Sequence, residues 1–299
     1  MVPLSVRSEI PIYDINNFRE YKTHGLVASR FGHYAKTHAH LHSPHRHSFY
    51  HLVFFTQGSG HHHIDFKQFD VKPPSMYFMV PGQVHSWSFQ SEPDGYIINF
   101  SKDYFNAFLS NTAYFQNFSI FSGIADQQVI SVNEETAGAL IASFEEILRE
   151  GAITGLLRDD LVRTLLLQIF IKAERASGHK IEVTANSYNH TIFRNFQKLI
   201  AEHYTTLKLP KEYAALLYIT PNHLNALCKD IMGASAGELI REQVILEAKR
   251  LLINLDLSVA EIADKLNFND HSYFIKFFKK QEGLTPEKFR KLNILQHGK

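Results

Sequence analysis

The sequence predicts a multidomain chain: an all-β barrel or sandwich, a helical segment, and an all-α domain at the C-terminal end. Three observations carry this prediction. Short aromatic and β-branched runs separated by turn residues fill residues 49 to 100. Apolar residues at spacings of three and four occupy residues 134 to 176. A helix-turn-helix pattern occurs twice, about fifty residues apart, between residues 211 and 291. A chain of 299 residues holds two cores of this kind.

Taken in order, FYHLVFFTQ (49–57) reads as a strand, and GSG (58–60) reads as a hairpin turn with HHHIDF as the return. SMYFMVPGQVHSWSF (75–89) reads as two strands broken at Pro81-Gly82, and GYIINF (95–100) as a further strand. Strands at this density predict a sandwich or barrel. No helical period is legible before about residue 103. Twelve of the eighteen histidines lie in the first 85 residues. His38, His40 and His42 alternate as on one face of a strand. His61, His62 and His63 follow the GSG turn, and three in a row predict an exposed turn.

Residues 134–150 and 155–176 read as two helices. Leu140, Ile141, Phe144, Ile147 and Leu148 form the first apolar stripe, and Leu157, Leu161, Leu165, Ile169 and Ala173 the second. The second helix has more apolar residues than one core-facing stripe uses, which points to a homodimer interface over 157–173. SGHKIEVTANSYNH (177–190) lacks helical period and reads as a linker. The expected boundaries are 1–125 for the barrel, 126–176 for the helical dimerisation segment, 177–190 for the linker and 191–299 for the all-α domain.

In the repeat, KEYAALLYITPNHLNALCKDIMG (211–233) aligns with SVAEIADKLNFNDHSYFIKFFKKQEG (258–283). Ala214 matches Ala263, Ile219 matches Phe268, Leu224 matches Phe274, Cys228 matches Phe278 and Gly233 matches Gly283. The small residue admits a close helix approach, the apolar residue plugs the corner, and the glycine suits a left-handed helix stop. What the core does not use faces outward, where a DNA major groove can be read. On the first outer face lie Asn222, His223, Asn225 and Ala226, with Thr220 as cap and Pro221 as first residue. On the second lie His271, Ser272, Tyr273, Ile275 and Lys276, with Asn269 or Asp270 as cap. Lys279 and Lys280 suit phosphates, which position without specifying. Asn267 tolerates a left-handed turn.

Two copies in register resemble the AraC/XylS family of bacterial transcription regulators. The second copy, with IADKLNF, DHSYFIKFFKK and GLTPEKFRK, is closest to that family's signature. The resemblance implies a seven-helix domain with two recognition helices in adjacent major grooves of operator DNA. The family commonly has Arg where Ala226 stands, so the first copy is expected to read its bases less sharply. HSPHRHSFYHLVFFTQGSG and KPPSMYFMVPGQVHSW are similar to the cupin barrel that many such regulators carry as a sensor. Cupin enzymes bind metal with His-x-His, a following Glu and a later His. The matching positions here are His45, His47, His51 in place of the Glu, and His85. Two readings stay open. The barrel holds a small-molecule effector in a pocket lined by His45, His47, Tyr50, His51, His85 and Trp87, or those four histidines hold a metal. The first is the expected one.

Bulk properties fit. Residues 191–299 carry 16 Lys+Arg against 12 Asp+Glu, hence +4; residues 1–190 carry 15 against 18, hence −3. Cys228, the only cysteine, excludes an intramolecular disulfide and fits a reducing compartment. No signal segment or run of eighteen apolar residues is present. The expectation is a cytoplasmic, ligand-responsive transcription regulator, not an enzyme. Its expected partners are operator DNA, a small-molecule effector, a second copy and, if it activates, RNA polymerase, with no membrane. A metal-dependent cupin enzyme and a constitutive DNA-binding protein are the rival readings.

Overall fold

A computed structural model describes residues 10–18, 25–106, 108–109, 114–115, 118–178, 187–253 and 257–297. Contacts divide the chain into two units that part between residues 180 and 181. Most of the expected linker, residues 179–186, lies outside the described residues, and a helix begins at Ser187, inside the segment read as linker.

The N-terminal unit is built on two five-stranded sheets. One runs β1 (Ile12–Tyr13), β3 (His45–His47), β8 (Val84–Phe89), β5 (Gly60–Ile64), β6 (Lys67–Val71). The other runs β10 (Val129–Ser131), β7 (Ser75–Met79), β4 (Tyr50–Gln57), β9 (Asp94–Phe100), β2 (Leu26–Arg30). β4 is buried on both faces, which is why it reads as a nearly continuous apolar run. Val53 and Phe55 join Ile64, Val71, Tyr77, Met79 and Trp87 in the core between the sheets. Leu52 and Phe54 face the other way, into a layer formed by α2 (Glu134–Gly151) and α3 (Arg158–Ala176). Side chains alternate across a strand, so each residue of β4 belongs to one of these two cores.

Several expectations change here. The GSG turn exists, but it is not a hairpin: β4 pairs with β7 and β9, while β5 pairs with β6 and β8. Gly60, at φ 145°, runs so close to β8 that a Cβ would meet the Ser88 carbonyl oxygen at 2.3 Å. The hairpin is β5–β6, turned at Asp65-Phe66, with Asp65 at φ 53°. β7 and β8 likewise belong to different sheets, because the turn at Pro81-Gly82 carries the chain across the barrel. His61 to His63 lie in β5, not in an exposed turn, and the period of two buries His62 while its neighbours face outward. His38, His40 and His42 are not on a strand either. A short helix, α1 (Phe31–Thr37), precedes them and leads into a 3-10 turn over Ala39–His42. Its seven residues are too few to show a helical period.

α2 starts at the Asn133 cap, whose side chain accepts from the Thr136 N–H at 2.8 Å, with Glu134 and Glu135 in the first turn. On α3, Val162, Leu165, Leu166, Ile169, Phe170 and Ala173 are all buried within this unit. Phe170 sits in an aromatic cluster with Phe78, Phe100, Phe105 and Phe121. The apolar surplus of α3 is therefore used by a helix packed on both α2 and the sheet, and Leu165, Ile169 and Ala173 are not free to form an interface. What remains exposed is Leu161 and the turn before it: Ile153, Leu156 and Leu157.

The C-terminal unit contains α4 (Ser187–His203), α5 (Pro210–Leu216), α6 (Pro221–Met232), α7 (Ala236–Leu252), α8 (Val259–Lys265), α9 (His271–Glu282) and α10 (Pro286–His297). α7 is the spine. It opens with a reciprocal cap between Ser235 and Glu238. Its first half packs with α4, α5 and α6 through Ala236 and Ile240. Its second half reaches α8 and α10. Cys228 is fully buried in the core with Leu224 and Leu227, and burial pushes its thiol up to about 12, so it acts as a small hydrophobe. Among the described residues, no helix is long and apolar enough to cross a membrane.

Candidate nucleic-acid interface and histidine cluster

The two helix-turn-helix motifs superpose hydrogen bond by hydrogen bond. In the first, Ile219 N–H donates to Ala214 C=O at 3.0 Å and Tyr218 N–H to Ala215 C=O at 3.2 Å. In the second, Phe268 N–H donates to Ala263 C=O at 2.9 Å and Asn267 N–H to Asp264 C=O at 2.8 Å. Tyr218 and Asn267 both stand at φ 56°. The left-handed residue predicted at Asn267 is thus matched in the first copy by a tyrosine, where sequence offered no such signal. α6 and α9 both end at a left-handed glycine, Gly233 and Gly283, whose N–H closes on Lys229 and Lys279 C=O.

The outer faces are as follows. On α6, Asn222, His223 and Ala226 are exposed, and Thr220 accepts from the His223 N–H at 3.2 Å as the cap. Asn225 is placed differently. It is half-buried, and its Oδ1 accepts from the Ala236 N–H at 3.0 Å, satisfying the otherwise unpartnered start of α7. On α9, Asp270 is the cap and His271, Ser272, Tyr273, Ile275, Lys276, Lys279 and Lys280 are exposed. His271 Nε2 pairs with Asp264 Oδ1 at 2.8 Å, which holds the ring back against α8. Phe274 and Phe278 are fully buried, whereas Phe277 is half-buried on Phe268 at 5.3 Å.

Lys208 has a role that sequence reading missed. Its Nζ donates to the Leu266 carbonyl at 2.7 Å and lies 4.6 Å from the Phe268 ring centre. It thereby ties the segment before α5 to the turn of the second motif. Burial pulls its ammonium below the ordinary lysine range. Neighbouring sequence carries no sign of this contact, because the partner lies 58 residues on.

The barrel brings together five of its six expected site residues and adds two unexpected ones, His62 and Asn99. His45 and His47 come from β3, His85 from β8, and His51 from the facing sheet on β4. Side-chain nitrogens of His45, His47 and His85 lie within 4.8 Å of one another. His51 stands 4.8 Å from His47 and 5.1 Å from His85, ring centre to ring centre. All four are buried. The alternation that buries His62 sets its Nε2 3.1 Å from His85 Nδ1 and stacks its ring on Trp87 at 3.3 Å. Asn99 on β9 holds His51, with Oδ1 2.6 Å from Nδ1. Trp87 thus meets the cluster through His62 and also edge-on at His85, 6.0 Å between ring centres. Tyr50 lies apart from it: one residue before His51, it points to the helix-covered face and stacks on Phe100 at 4.9 Å.

The electrostatics are uniform in sign. Burial, which disfavours the charged imidazolium, pulls His45 down to about 4 and His51 to about 3. Burial and then repulsion from the neighbouring rings hold His47, His62 and His85 well below the usual range. These five rings are neutral at pH 7, the form in which imidazole binds metals or exchanges hydrogen bonds with a ligand.

Comparison with known proteins follows this two-part layout. Residues 27–166 match the AraC-like ligand binding domain, and residues 213–292 match a helix-turn-helix domain. The chain belongs to the AraC family of transcription regulators. The first AraC-family match runs from β2 into α3 and the second from α5 into α10. A stretch of 111 residues is 32% identical to the uncharacterized HTH-type transcriptional regulator YtdP of Bacillus subtilis, covering 37% of this chain and 14% of that protein. The Msm operon regulatory protein of Streptococcus mutans is 25% identical over 286 residues, covering 93% of this chain and 95% of that one. Among solved structures, the C-terminal domain of the response regulator yesN from Fusobacterium nucleatum is 29% identical, covers 32% of this AraC-family chain and 93% of its own, and has a TM-score of 0.30.

Proposed function

We propose that the chain is an effector-responsive transcription regulator that reads operator DNA with α6 and α9 and senses its effector in the barrel. The observation that carries this is the doubled helix-turn-helix, identical in its turn hydrogen bonds, with polar and cationic side chains left on both outer helices. The sites expected to touch DNA are Asn222, His223 and Ala226 on α6, and Ser272, Tyr273, Lys276, Lys279 and Lys280 on α9. Asn225 and His271 act chiefly by holding α7 and α8 in place. The protein is read as non-catalytic and cytoplasmic. As an activator it would contact RNA polymerase.

Salt dependence tests the DNA reading. Phosphate contacts release counterions, so affinity of the full chain for duplex DNA should fall about 10- to 1,000-fold between 50 and 200 mM salt. Lys276→Ala should weaken binding to a selected operator by about 1–3 kcal/mol and leave the thermal midpoint unchanged, since Lys276 is exposed. A chain whose DNA affinity does not respond to salt would overturn the assignment.

Self-association is proposed through the α2–α3 turn in place of the α3 stripe. Leu156 is 95% exposed, Leu157 67% and Ile153 53%. Leu157 also holds φ 58°, a strained conformation for a branched side chain. Four large apolar side chains within nine residues of surface mark an interaction site. Leu156→Glu with Leu161→Glu should give a folded monomer by sedimentation, whereas Leu165→Glu should unfold the unit. A dimer unchanged in the first variant would count against this surface.

A further inference from the structure

We propose that Lys208 is a positioning residue for operator recognition. By holding the turn of the second motif to the base of the first, it fixes α9 relative to α6 and so sets the spacing between the two DNA half-sites that the chain accepts. This rests on the regulator reading above and adds to it a determinant of which operators are read.

Lys208 is held at both ends. Its backbone is mounted on α5: Glu212 Oε2 accepts from the Lys208 N–H at 3.0 Å and from the Leu209 N–H at 2.8 Å. The buried Tyr213 donates its hydroxyl to the Leu207 carbonyl at 2.8 Å, which fixes the residue before it. The ammonium lies between the C-terminal ends of two helices. It donates to the Leu266 carbonyl, directly after α8, at 2.7 Å and to the Tyr204 carbonyl, directly after α4, at 3.4 Å. Helix C-termini carry partial negative charge and carbonyls without an intrahelical donor, so one cation serves both ends. The ring of Phe268, 4.6 Å away, takes a further side. Half-buried and engaged in this way, the ammonium is not aimed at a phosphate.

The contact lands where it bears on reading. Leu266, Asn267 and Phe268 form the turn of the second motif, and Asp270, the cap of α9, follows two residues later. α7 joins the two motifs along one axis, and a single helix does not fix what turns about it. Lys208 adds a tie outside α7, between residues 58 apart in sequence. At the matching position the second copy has Leu257, and that stretch is held instead by Arg290 of α10, which donates to the Leu252 and Leu257 carbonyls at 3.1 and 2.6 Å. The lysine is thus specific to the first copy. One inserted base pair moves a half-site about 3.4 Å along the duplex and about 35° around it. A reading head held rigid loses one motif's base contacts on such a site, whereas a head able to turn about α7 recovers part of them.

The test uses the full chain and a duplex that it selects from a random pool, remade with one base pair inserted or deleted between the half-sites. Wild type should bind the remade duplexes about 10- to 100-fold more weakly, the value of a good base contact. Lys208→Met, which keeps the stem and removes the donor, should cut that penalty about 5-fold or more. Lys211→Met, an exposed lysine three residues on, should keep the wild-type penalty. A general loss of fold weakens binding to every spacing alike, so the ratio between duplexes is the readout. The salt dependence of Lys208→Met should match wild type, whereas Lys279→Ala should lower the slope of log affinity on log salt by about one. Folded Lys208→Met with the wild-type ratio overturns the assignment. A slope lowered as in Lys279→Ala makes Lys208 a phosphate contact and also overturns it. A wild type indifferent to spacing overturns it even if no variant folds. Wild-type DNA affinity that does not respond to salt overturns the regulator reading, and this one with it.

Discussion

The N-terminal unit should lose most of its stability between pH 6.5 and about 4. Its five buried histidines, His45, His47, His51, His62 and His85, are held neutral in the folded state by desolvation and mutual repulsion. The unfolded chain protonates them at their ordinary value near 6.5. Above that pH neither state binds these protons, and stability does not depend on them. Below it the unfolded state binds protons that the folded state cannot, so stability falls as pH falls, and for each histidine the loss ends once its folded value is passed. That endpoint is about 4 for His45 and about 3 for His51. Each histidine removes about 1.4 kcal/mol per pH unit across its window. Several acting together exhaust an ordinary domain stability of about 5–15 kcal/mol within roughly two units. Trp87 is the only tryptophan and stacks on His62, so its fluorescence reports this unit directly. An acid transition with a midpoint between about pH 4 and 5.5 is expected. Trp87 emission unchanged down to pH 3.5 would show that the five rings are not buried together.

Phe278→Ala should destabilise the second helix-turn-helix by about 3–5 kcal/mol and abolish operator binding. Phe278 is fully buried on α9 and meets Phe289 of α10 at 5.6 Å and Phe274 one turn away at 6.1 Å. Removing its ring leaves a cavity where α9 is anchored, so the outer face that carries Lys276 loses its fixed direction. The contrast with Lys276→Ala is the measurement. Circular dichroism in urea should show an early helical transition for Phe278→Ala while Trp87 emission keeps its wild-type midpoint. Lys276→Ala should show no early transition and lose only DNA affinity. Operator binding retained by Phe278→Ala at wild-type strength would mean that α9 does not read the DNA.

The C-terminal architecture was legible in the chain because its determinants are local. Ala214 and Ala263, Ile219 and Phe268, and the terminal glycines Gly233 and Gly283 sit at spacings that a helix and a tight turn impose on any sequence. The exceptions are contacts between distant segments. Asn225 reads as an outward residue until α7 is placed beside it, and Lys208 reads as an ordinary surface lysine until Leu266 appears at its Nζ.

In the N-terminal half, sequence by itself determined that short strands build a β domain, that two helices follow, and that His45, His47, His51 and His85 are worth watching. Only tertiary structure decided which sheet each strand joined. Gly60 and the Pro81-Gly82 turn carry the chain between sheets, and nothing local distinguishes such a turn from a hairpin. That decision moved His62 from an expected exposed turn into the cluster and sent Tyr50 to the opposite face. It also converted the surplus apolar residues of α3 from an expected interface into core. The physical reason is the same in each case. A period of two or of 3.6 says which residues share a face, but the identity of what covers that face is a long-range fact of packing.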